Sequence, residues 1–334
     1  MDIRRVQITG GSSFMVTLPK VWADSIQLKK NDPVSLQVQP DGSLILYPKS
    51  VEPELIRVTR TIDVTKTKDT NFIYRQLIAA YISGCGAIEI RSDAPIHSSV
   101  LNVVSTFTQT CIGIEICESD DNRVLITDLV EHEDINPCKV SDRIKMHIRS
   151  MLFDVYESTQ SGDTTDISIM GDRDLEVDRT YWMIARLVNI CLNDPRIART
   201  MEMAPTKVIS CLDISRMMER IGDHAVDMAF TLVPSISKNG VDNLDKSWKK
   251  IGADIVNLFN ASYLCWVEKD IIAAENSIVN AENMIRKIET AMAKDSKTAE
   301  IDVVVNTVLA YNSLGVIRCC KEICELAVNV SMEN

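Results

Sequence analysis

This chain of 334 residues has few aromatic residues, few glycines and prolines, and fewer positive than negative charges. These shortages set the first limits on its fold and function. Aromatic residues make up 5% of it, and it contains 12 glycines and 10 prolines. Because the hydrophobic fraction is nevertheless 46%, this composition favours packed helices over an all-β fold. The net charge of −11 argues against a general affinity for nucleic acid.

The chain also lacks several sequence signals. No CxxC pair occurs among the ten cysteines, so we expect buried, reduced thiols in a cytoplasmic protein rather than a zinc site or a disulfide framework. We expect no signal peptide, and because no run of 18 apolar residues occurs, we also expect no membrane-spanning segment. A phosphate-binding loop and a nucleophile–base pair are also missing, so we expect the protein not to be an enzyme.

Residues 1–48 combine short alternating segments with strong turn signals. The predicted elements are strands at 4–9 and 14–18, a short helix at 21–27, and a hairpin of strands at 34–38 and 43–47. Short strands in so small a segment bury little apolar surface by themselves. We therefore expect this segment to form a dimer.

The same segment resembles the AbrB/SpoVT family, in which two chains interleave their hairpins into one β-barrel. The resemblance rests on residues 5–20, 28–34 and 41–44. The family has a glycine where Asn31 stands, and asparagine also tolerates the left-handed conformation of that turn. The resemblance implies a dimeric domain at 1–48 that binds DNA, although some members of the family are antitoxins.

Basic residues of this segment are the candidates for contacts with DNA phosphates. They are Arg4, Arg5, Lys20, Lys29 and Lys30. The first 50 residues carry six basic and four acidic side chains, so the acidic surplus lies in the rest of the chain. The alternative for each basic residue is an ordinary solvated surface position.

Residues 55–135 alternate between strand and helix patterns. The predicted elements are a strand at 55–64, a helix at 70–83, a strand at 87–91, a helix at 98–110, and strands at 113–118 and 123–130. This order predicts a small α/β unit. Its role is open between a spacer and a sensor.

Residues 139–331 are nearly all helical in their periodicity. The predicted helices are 140–159, 174–193, 206–232, 244–268, 270–293 and 301–330, with Pro234 and Gly240 ending the first set. Residues 317–329 align with 215–227, which indicates a duplication. We therefore predict two three-helix repeats, at about 139–234 and 241–331.

The third helix of the first repeat carries an unusual row of acids. Glu219, Asp223 and Asp227 follow one another at four-residue spacing, where like charges repel by roughly 0.2–0.5 kcal/mol per pair. Gly222 lies among them and costs the helix about 1 kcal/mol relative to alanine. Carboxylates beside a small residue are the ligands that oxygen-coordinated cations prefer.

The segment 219–225, together with two three-helix repeats, resembles the PhoU family of phosphate-signalling regulators. With the N-terminal segment, it resembles the archaeal type of PhoU-related regulator. The resemblance implies a divalent metal or iron at Glu219 and Asp223. Asp174 and Asp178, an acid pair with the same spacing on the preceding helix, are the further candidate ligands.

A second interpretation of these acids is open. Arg216 and Arg220 each lie three residues before an acid of the motif, so the acids also fit exposed salt bridges. The second repeat departs from the motif, because Lys321 replaces the first acid and only Glu325 remains. We therefore predict that any metal binds at the first repeat alone.

The sequence thus predicts a multidomain chain with a small swapped-hairpin β-barrel, a small α/β unit and a mainly α PhoU-like bundle. The two resemblances imply a phosphate-responsive transcriptional regulator of phosphate uptake that binds DNA as a homodimer. Its further partners would be a phosphate transporter or that transporter's signalling components. The alternative is an adaptor that regulates the same partners without touching DNA.

Overall fold

The computed structural model describes residues 3–11, 13–38, 42–48, 58–67, 69–130, 135–201, 203–294 and 303–332. The chain divides into two compact units, Met1–Arg57 and Val58–Asn334. The predicted fold class is confirmed: strand hairpins come first, and a mostly helical body follows. Parts of two predicted elements, 55–57 of a strand and 301–302 of a helix, lie outside the described residues.

The first unit contains two separate hairpins with a short helix between them. Strands β1 (Gln7–Thr9) and β2 (Ser13–Met15) pair antiparallel, and their turn uses the positive φ angles of Gly10 and Gly11. Helix α1 (Lys20–Ser25) follows, and β3 (Val34–Val38) then pairs antiparallel with β4 (Leu44–Pro48). The predicted order of elements is correct, but the first two strands are shorter than predicted.

This hairpin unit, residues 3–48, has no core of its own in a single chain. None of its described side chains is buried, and large apolar residues lie exposed on both hairpins. Phe14 on β2 is 77% exposed and Val38 on β3 is 74% exposed. An isolated two-stranded hairpin is at best marginally stable in water, so these apolar faces require a cover.

The second unit begins with an α/β layer, residues 59–128. Its sheet has the order β5 (Thr59–Asp63), β6 (Ala87–Arg91), β8 (Arg123–Asp128) and β7 (Ile114–Ser119). The pair β5–β6 is parallel and the other pairs are antiparallel. Helices α2 (Thr70–Ile82) and α3 (Ser98–Thr110) cover the sheet and bury Ile73, Leu77 and Phe107 completely.

The helical bundle follows, with two sets of three long helices. They are α4 (Pro137–Ser161), α6 (Met170–Asn193) and α8 (Pro205–Asn239), then α9 (Trp248–Glu268), α10 (Ile271–Lys294) and α11 (Val303–Ser331). Two short helices, α5 (Thr165–Ser168) and α7 (Pro195–Thr200), were not predicted. The third helix of each set, α8 and α11, packs against the other as well as against its own set.

Helix α8 runs beyond the point where the sequence predicted its end. Pro234 lies inside the helix, which ends at Gly240 with a φ of 67°. Proline removes one backbone donor and usually breaks a helix. The helix continues because Leu232 and Ile236, on either side of Pro234, are buried in the bundle.

Helix α11 is long and apolar enough to cross a membrane by length and composition alone. However, 56% of its most apolar window is buried inside the fold, and the helix packs against α8, α9 and α10. The apolar character of α11 is thus explained by its place in the core of the bundle.

One pair of cysteines differs from the expectation of reduced thiols. Cys138, near the start of α4, forms a disulfide with Cys211 of α8, and their Cα atoms lie 6.0 Å apart. The pair is 73 residues apart in sequence and belongs to no spacing motif. Only the packing of α4 against α8 brings the two sulfurs together.

A buried arginine joins the α/β layer to the bundle. Arg186 of α6 is 2% exposed and forms an ion pair with Asp128 at the end of β8. It also donates hydrogen bonds to the carbonyl oxygens of Tyr81, at 2.5 Å, and Cys85, at 2.8 Å. Its guanidinium stacks over the Tyr81 ring at 4.8 Å from the centroid. The loop after α2 and the end of the sheet are therefore fixed to one side chain of α6.

Arg186→Met is expected to lower the free energy of unfolding by about 3–5 kcal/mol, because it leaves Asp128 buried without its ion-pair partner. Urea titration measures this loss. The control is Arg318→Met, which breaks an exposed pair with Glu289 and is expected to cost less than about 1 kcal/mol. Equal losses in the two variants would contradict this account of the interface.

Candidate functional site

The structure places the four acids predicted as metal ligands on α6 and α8, where three are partly buried and Asp223 is exposed. We call this cluster of Asp174, Asp178, Glu219 and Asp223 the acid groove. Burial raises the pKa of Asp174 to about 7, and the charges of Asp178 and Asp223 contribute to the shift. Burial also raises the pKa of Asp178 to about 6, with Glu219 and Asp223 adding to it. Carboxylates of the two helices are thus close enough to repel one another.

The two acids of α8 show the same effect. Burial raises the pKa of Glu219 to about 7; Asp223 and Asp174 add to the shift, and the neighbouring arginines oppose it. Burial is also the main cause that raises the pKa of Asp223; Asp227 adds to this shift, whereas His224 opposes it. The groove therefore concentrates negative charge that the fold does not neutralise.

One oxygen of the groove has no partner. Among the described residues, Asp174 Oδ1 is buried and accepts no hydrogen bond. A Cβ atom added at Gly222 would lie 3.1 Å from this oxygen and 3.6 Å from Val177 Cγ1. The glycine of the motif is therefore explained by close packing, since it lets α8 approach the Asp174 carboxylate of α6.

The salt-bridge interpretation is not realised in this conformation. Arg216 donates to the Tyr181 hydroxyl at 3.4 Å, and Arg220 lies 3.4 Å from Glu322 of α11. Within the described part of the chain, neither Glu219 nor Asp223 forms an ion pair. Both arginines are thus directed towards other partners, and their charges only moderate the shift at Glu219.

The groove suits a hard cation by its chemistry, but its ligands are not assembled. Carboxylate oxygens are the donors that Mg²⁺, Ca²⁺ and Mn²⁺ prefer. Across the described ranges, however, no three His, Cys, Asp or Glu side chains converge closely enough to hold one ion. Side-chain rearrangement would have to bring the acids together around a bound cation.

In the second repeat a lysine side chain lies beside the carboxylates. Lys321 Nζ lies 2.9 Å from Glu282 Oε1 on α10 and 3.7 Å from Glu325 Oε1 on its own helix. Lys321 therefore lies beside Glu325 and beside a further carboxylate, which α10 supplies. One lysine thus carries the positive charge between two helices that correspond to α6 and α8.

His224 follows Asp223 in the motif but faces away from the acid groove. Its Nδ1 lies 2.8 Å from Asn312 Oδ1 on α11. A Cβ atom added at Gly315 would lie only 2.2 Å from its Nε2, so the glycine makes room for the ring. No sequence signal pointed to Asn312 or Gly315, because their role depends on the contact between the two repeats.

The predicted DNA-contacting residues all lie on the surface of the hairpin unit. Arg4, Arg5, Lys20, Lys29 and Lys30 are exposed. Asn31 adopts a φ of 75°, which confirms the left-handed turn, and the backbone N–H of Lys29 donates to Asp32 Oδ2 at 2.7 Å. The turn therefore holds two adjacent lysines in a fixed exposed position.

Comparisons with known proteins match two segments of the chain. Residues 7–54 match the family profile described as antidote-toxin recognition MazE, bacterial antitoxin. Residues 142–231 match the PhoU domain profile. The chain thus joins a MazE/AbrB-like domain to a PhoU domain, which confirms both family predictions. The archaeal type stays a prediction.

A solved structure gives a weaker likeness. The crystal structure of PhoU from Pseudomonas aeruginosa is 16% identical, with a TM-score of 0.44, and the match covers 57% of this chain and 93% of that one. A search of curated proteins finds no significant match.

The acid groove makes stability depend on pH in a defined direction. Since the folded pKa values lie above the ordinary value of about 4, ionisation of these acids is harder in the folded state. Stability is therefore expected to fall as pH rises from about 4 to about 7. Asp174→Asn is expected to raise the free energy of unfolding at pH 8 by roughly 1–2 kcal/mol, since solvent screens part of the repulsion at these half-buried groups.

Urea unfolding at pH 4.5 and pH 8 measures this effect, and the gain in Asp174→Asn is expected at pH 8 only. Asp242→Asn, at an exposed position, is the control and is expected to change stability equally little at both pH values. A loss of stability in Asp174→Asn at pH 8 would show that the carboxylate is needed by the fold.

Proposed function

We propose that this protein is a phosphate-responsive transcriptional regulator of phosphate uptake, which binds DNA through its hairpin unit and receives its signal in the bundle. The observation that carries the proposal is the presence of a MazE/AbrB-like domain and a PhoU domain in one chain. The first type of domain suggests DNA binding and oligomerisation, and the second suggests regulation of a transporter. No catalytic role is proposed for either part.

Dimerisation of the hairpin unit is supported by its surface. Apolar side chains such as Ile8, Phe14 and Leu36 are more than half exposed in the single chain. A second copy of the unit would cover them, as interleaved hairpins do in the AbrB/SpoVT family. The dimer would then present two sets of the basic residues to DNA.

The bundle is proposed to receive the signal from a phosphate transporter or from its signalling components in the cytoplasm. Occupancy of the acid groove by a divalent cation or iron is the proposed structural switch. Lys321 supports this proposal, because the second repeat places a positive charge between the corresponding helices. At the first repeat, Asp174, Asp178, Glu219 and Asp223 would hold the cation, and it would remove their mutual repulsion.

DNA binding is tested with the double variant Arg4→Ala and Arg5→Ala. We expect the full chain to bind a fragment of its own promoter region, and the affinity to fall steeply as salt rises from 50 to 200 mM, as phosphate contacts require. The double variant is expected to bind about tenfold or more weakly, with a shallower salt dependence. Fluorescence anisotropy measures both quantities.

The matched control is Lys246→Ala with Lys250→Ala, which removes the same charge from exposed positions of the bundle. It is expected to bind DNA like the unchanged protein. Absent or salt-insensitive binding by the unchanged chain would instead support the adaptor, in which the hairpin unit only dimerises. The net negative charge of the whole chain is the observation that supports this alternative.

Metal occupancy is tested by elemental analysis of the purified protein. Asp223→Ala is expected to lose bound metal because it removes a carboxylate from the acid groove. Glu325→Ala is expected to retain it, since Lys321 already occupies the second repeat. The reverse pattern, or metal in neither protein after incubation with Mn²⁺ or Fe²⁺, would contradict the assignment.

A further inference from the structure

A cavity lies where the first turns of α4 and α8 meet the ends of α9 and α11. Its volume is about 250 Å³, which is room for several water molecules. Lys139 of α4, Lys207 of α8 and Lys269 at the end of α9 all line it. We call it the lysine pocket. It lies apart from the acid groove, and neither family resemblance predicted it.

Positive charge dominates this pocket in a chain that is acidic overall. Within the described residues, none of the three lysines forms an ion pair. The single acid of the lining is Asp142, which accepts a hydrogen bond from the Tyr263 hydroxyl at 2.8 Å. A fourth cation, Lys145, lies over the Tyr263 ring at 5.9 Å from its centroid. The lining of the pocket therefore carries three lysines against one carboxylate.

The positions of two of these lysines are unfavourable for the helices that carry them. Both α4 and α8 begin with proline at the first position and lysine at the third, Lys139 and Lys207, and neither has an acid in its first turn. Helix N-termini favour anions and disfavour cations. Helix α8 also starts at Ala204 without a capping side chain, so its first N–H groups have no side-chain acceptor. An anion in the pocket would relieve both features.

The uncharged walls of the pocket are already fixed by internal bonds. Ser210 donates to the Lys207 carbonyl oxygen at 3.0 Å and accepts from the Trp266 indole at 3.4 Å. The Tyr263 hydroxyl lies 2.9 Å from Ser141 Oγ, and the Cys138 disulfide holds the start of α4 against α8. These bonds hold the uncharged walls of the cavity, while the three lysines of its lining are exposed and form no ion pair among the described residues.

We propose that the lysine pocket binds a small anion that carries one or two phosphoryl groups. Lysine is a point-charge binder of phosphate, and three lysines in the lining of one cavity suit a ligand with at least two negative charges. A single carboxylate would leave most of this charge unbalanced. Inorganic phosphate and a diphosphate share the required chemistry, and experiment separates them.

The test is isothermal titration of the full chain, without DNA, against inorganic phosphate and against pyrophosphate at low ionic strength. We expect saturable binding at one site per chain for at least one of the two ligands. Lys207→Gln with Lys269→Gln is expected to weaken it about tenfold or more, because two charge-assisted contacts are lost. The ligand that binds more tightly identifies a monophosphate or a diphosphate as the natural class.

Lys246→Gln with Lys250→Gln removes the same charge elsewhere and is expected to change the affinity less than about twofold. In the absence of anion, Lys207→Gln is expected to keep or raise the melting temperature, since it removes a cation from a helix N-terminus. The proposal is overturned if neither anion saturates, or if the control variant loses as much affinity. It is also overturned if Lys207→Gln melts earlier without anion and still binds normally. Since no DNA is used, these outcomes are independent of promoter binding.

Discussion

The buried ion pair between Arg186 and Asp128 is the contact through which the α/β layer and the helical bundle become one unit. Helix α6 carries this arginine in its second half and Asp174 and Asp178 in its first half. Helix α2 of the layer also packs against α6. Burial raises the pKa of the Tyr74 hydroxyl on α2, and nearby charges, among them that of Asp178, add to the shift. Helix α6 thus connects the sheet to the acids.

The two repeats differ in how the charge of neighbouring carboxylates is balanced. The carboxylates belong to α6 and α8 in the first repeat and to α10 and α11 in the second. In the second repeat Lys321 lies between Glu282 and Glu325, so the positive charge is covalently part of the chain. In the first repeat the acids repel one another, and Asp174 Oδ1 is left without a donor. The second repeat thus contains its own counter-charge, whereas the acids of the first repeat repel one another unless they are protonated.

Local sequence signals predicted most of the elements, because turn residues and hydrophobic periodicity act over short distances. The helix at 98–110 and the strand at 87–91 match the structure residue for residue. Predictions were wrong where a distant contact decided the outcome. Burial carries α8 past Pro234, and helix packing pairs Cys138 with Cys211.

The candidate site likewise combines features that local sequence predicted with features that depend on distant contacts. The four-residue spacing of acids predicted which side chains would share the groove between α6 and α8. It could not predict that His224 would turn to Asn312, nor that Gly222 would admit the Asp174 carboxylate, since both depend on how closely two helices approach. For the hairpin unit, the sequence did predict a need for a distant contact, because its strands are too short to bury much apolar surface. In the single chain the apolar faces of these strands are exposed. The five basic residues predicted to contact DNA are exposed on the same unit, so basic and apolar side chains share one small segment.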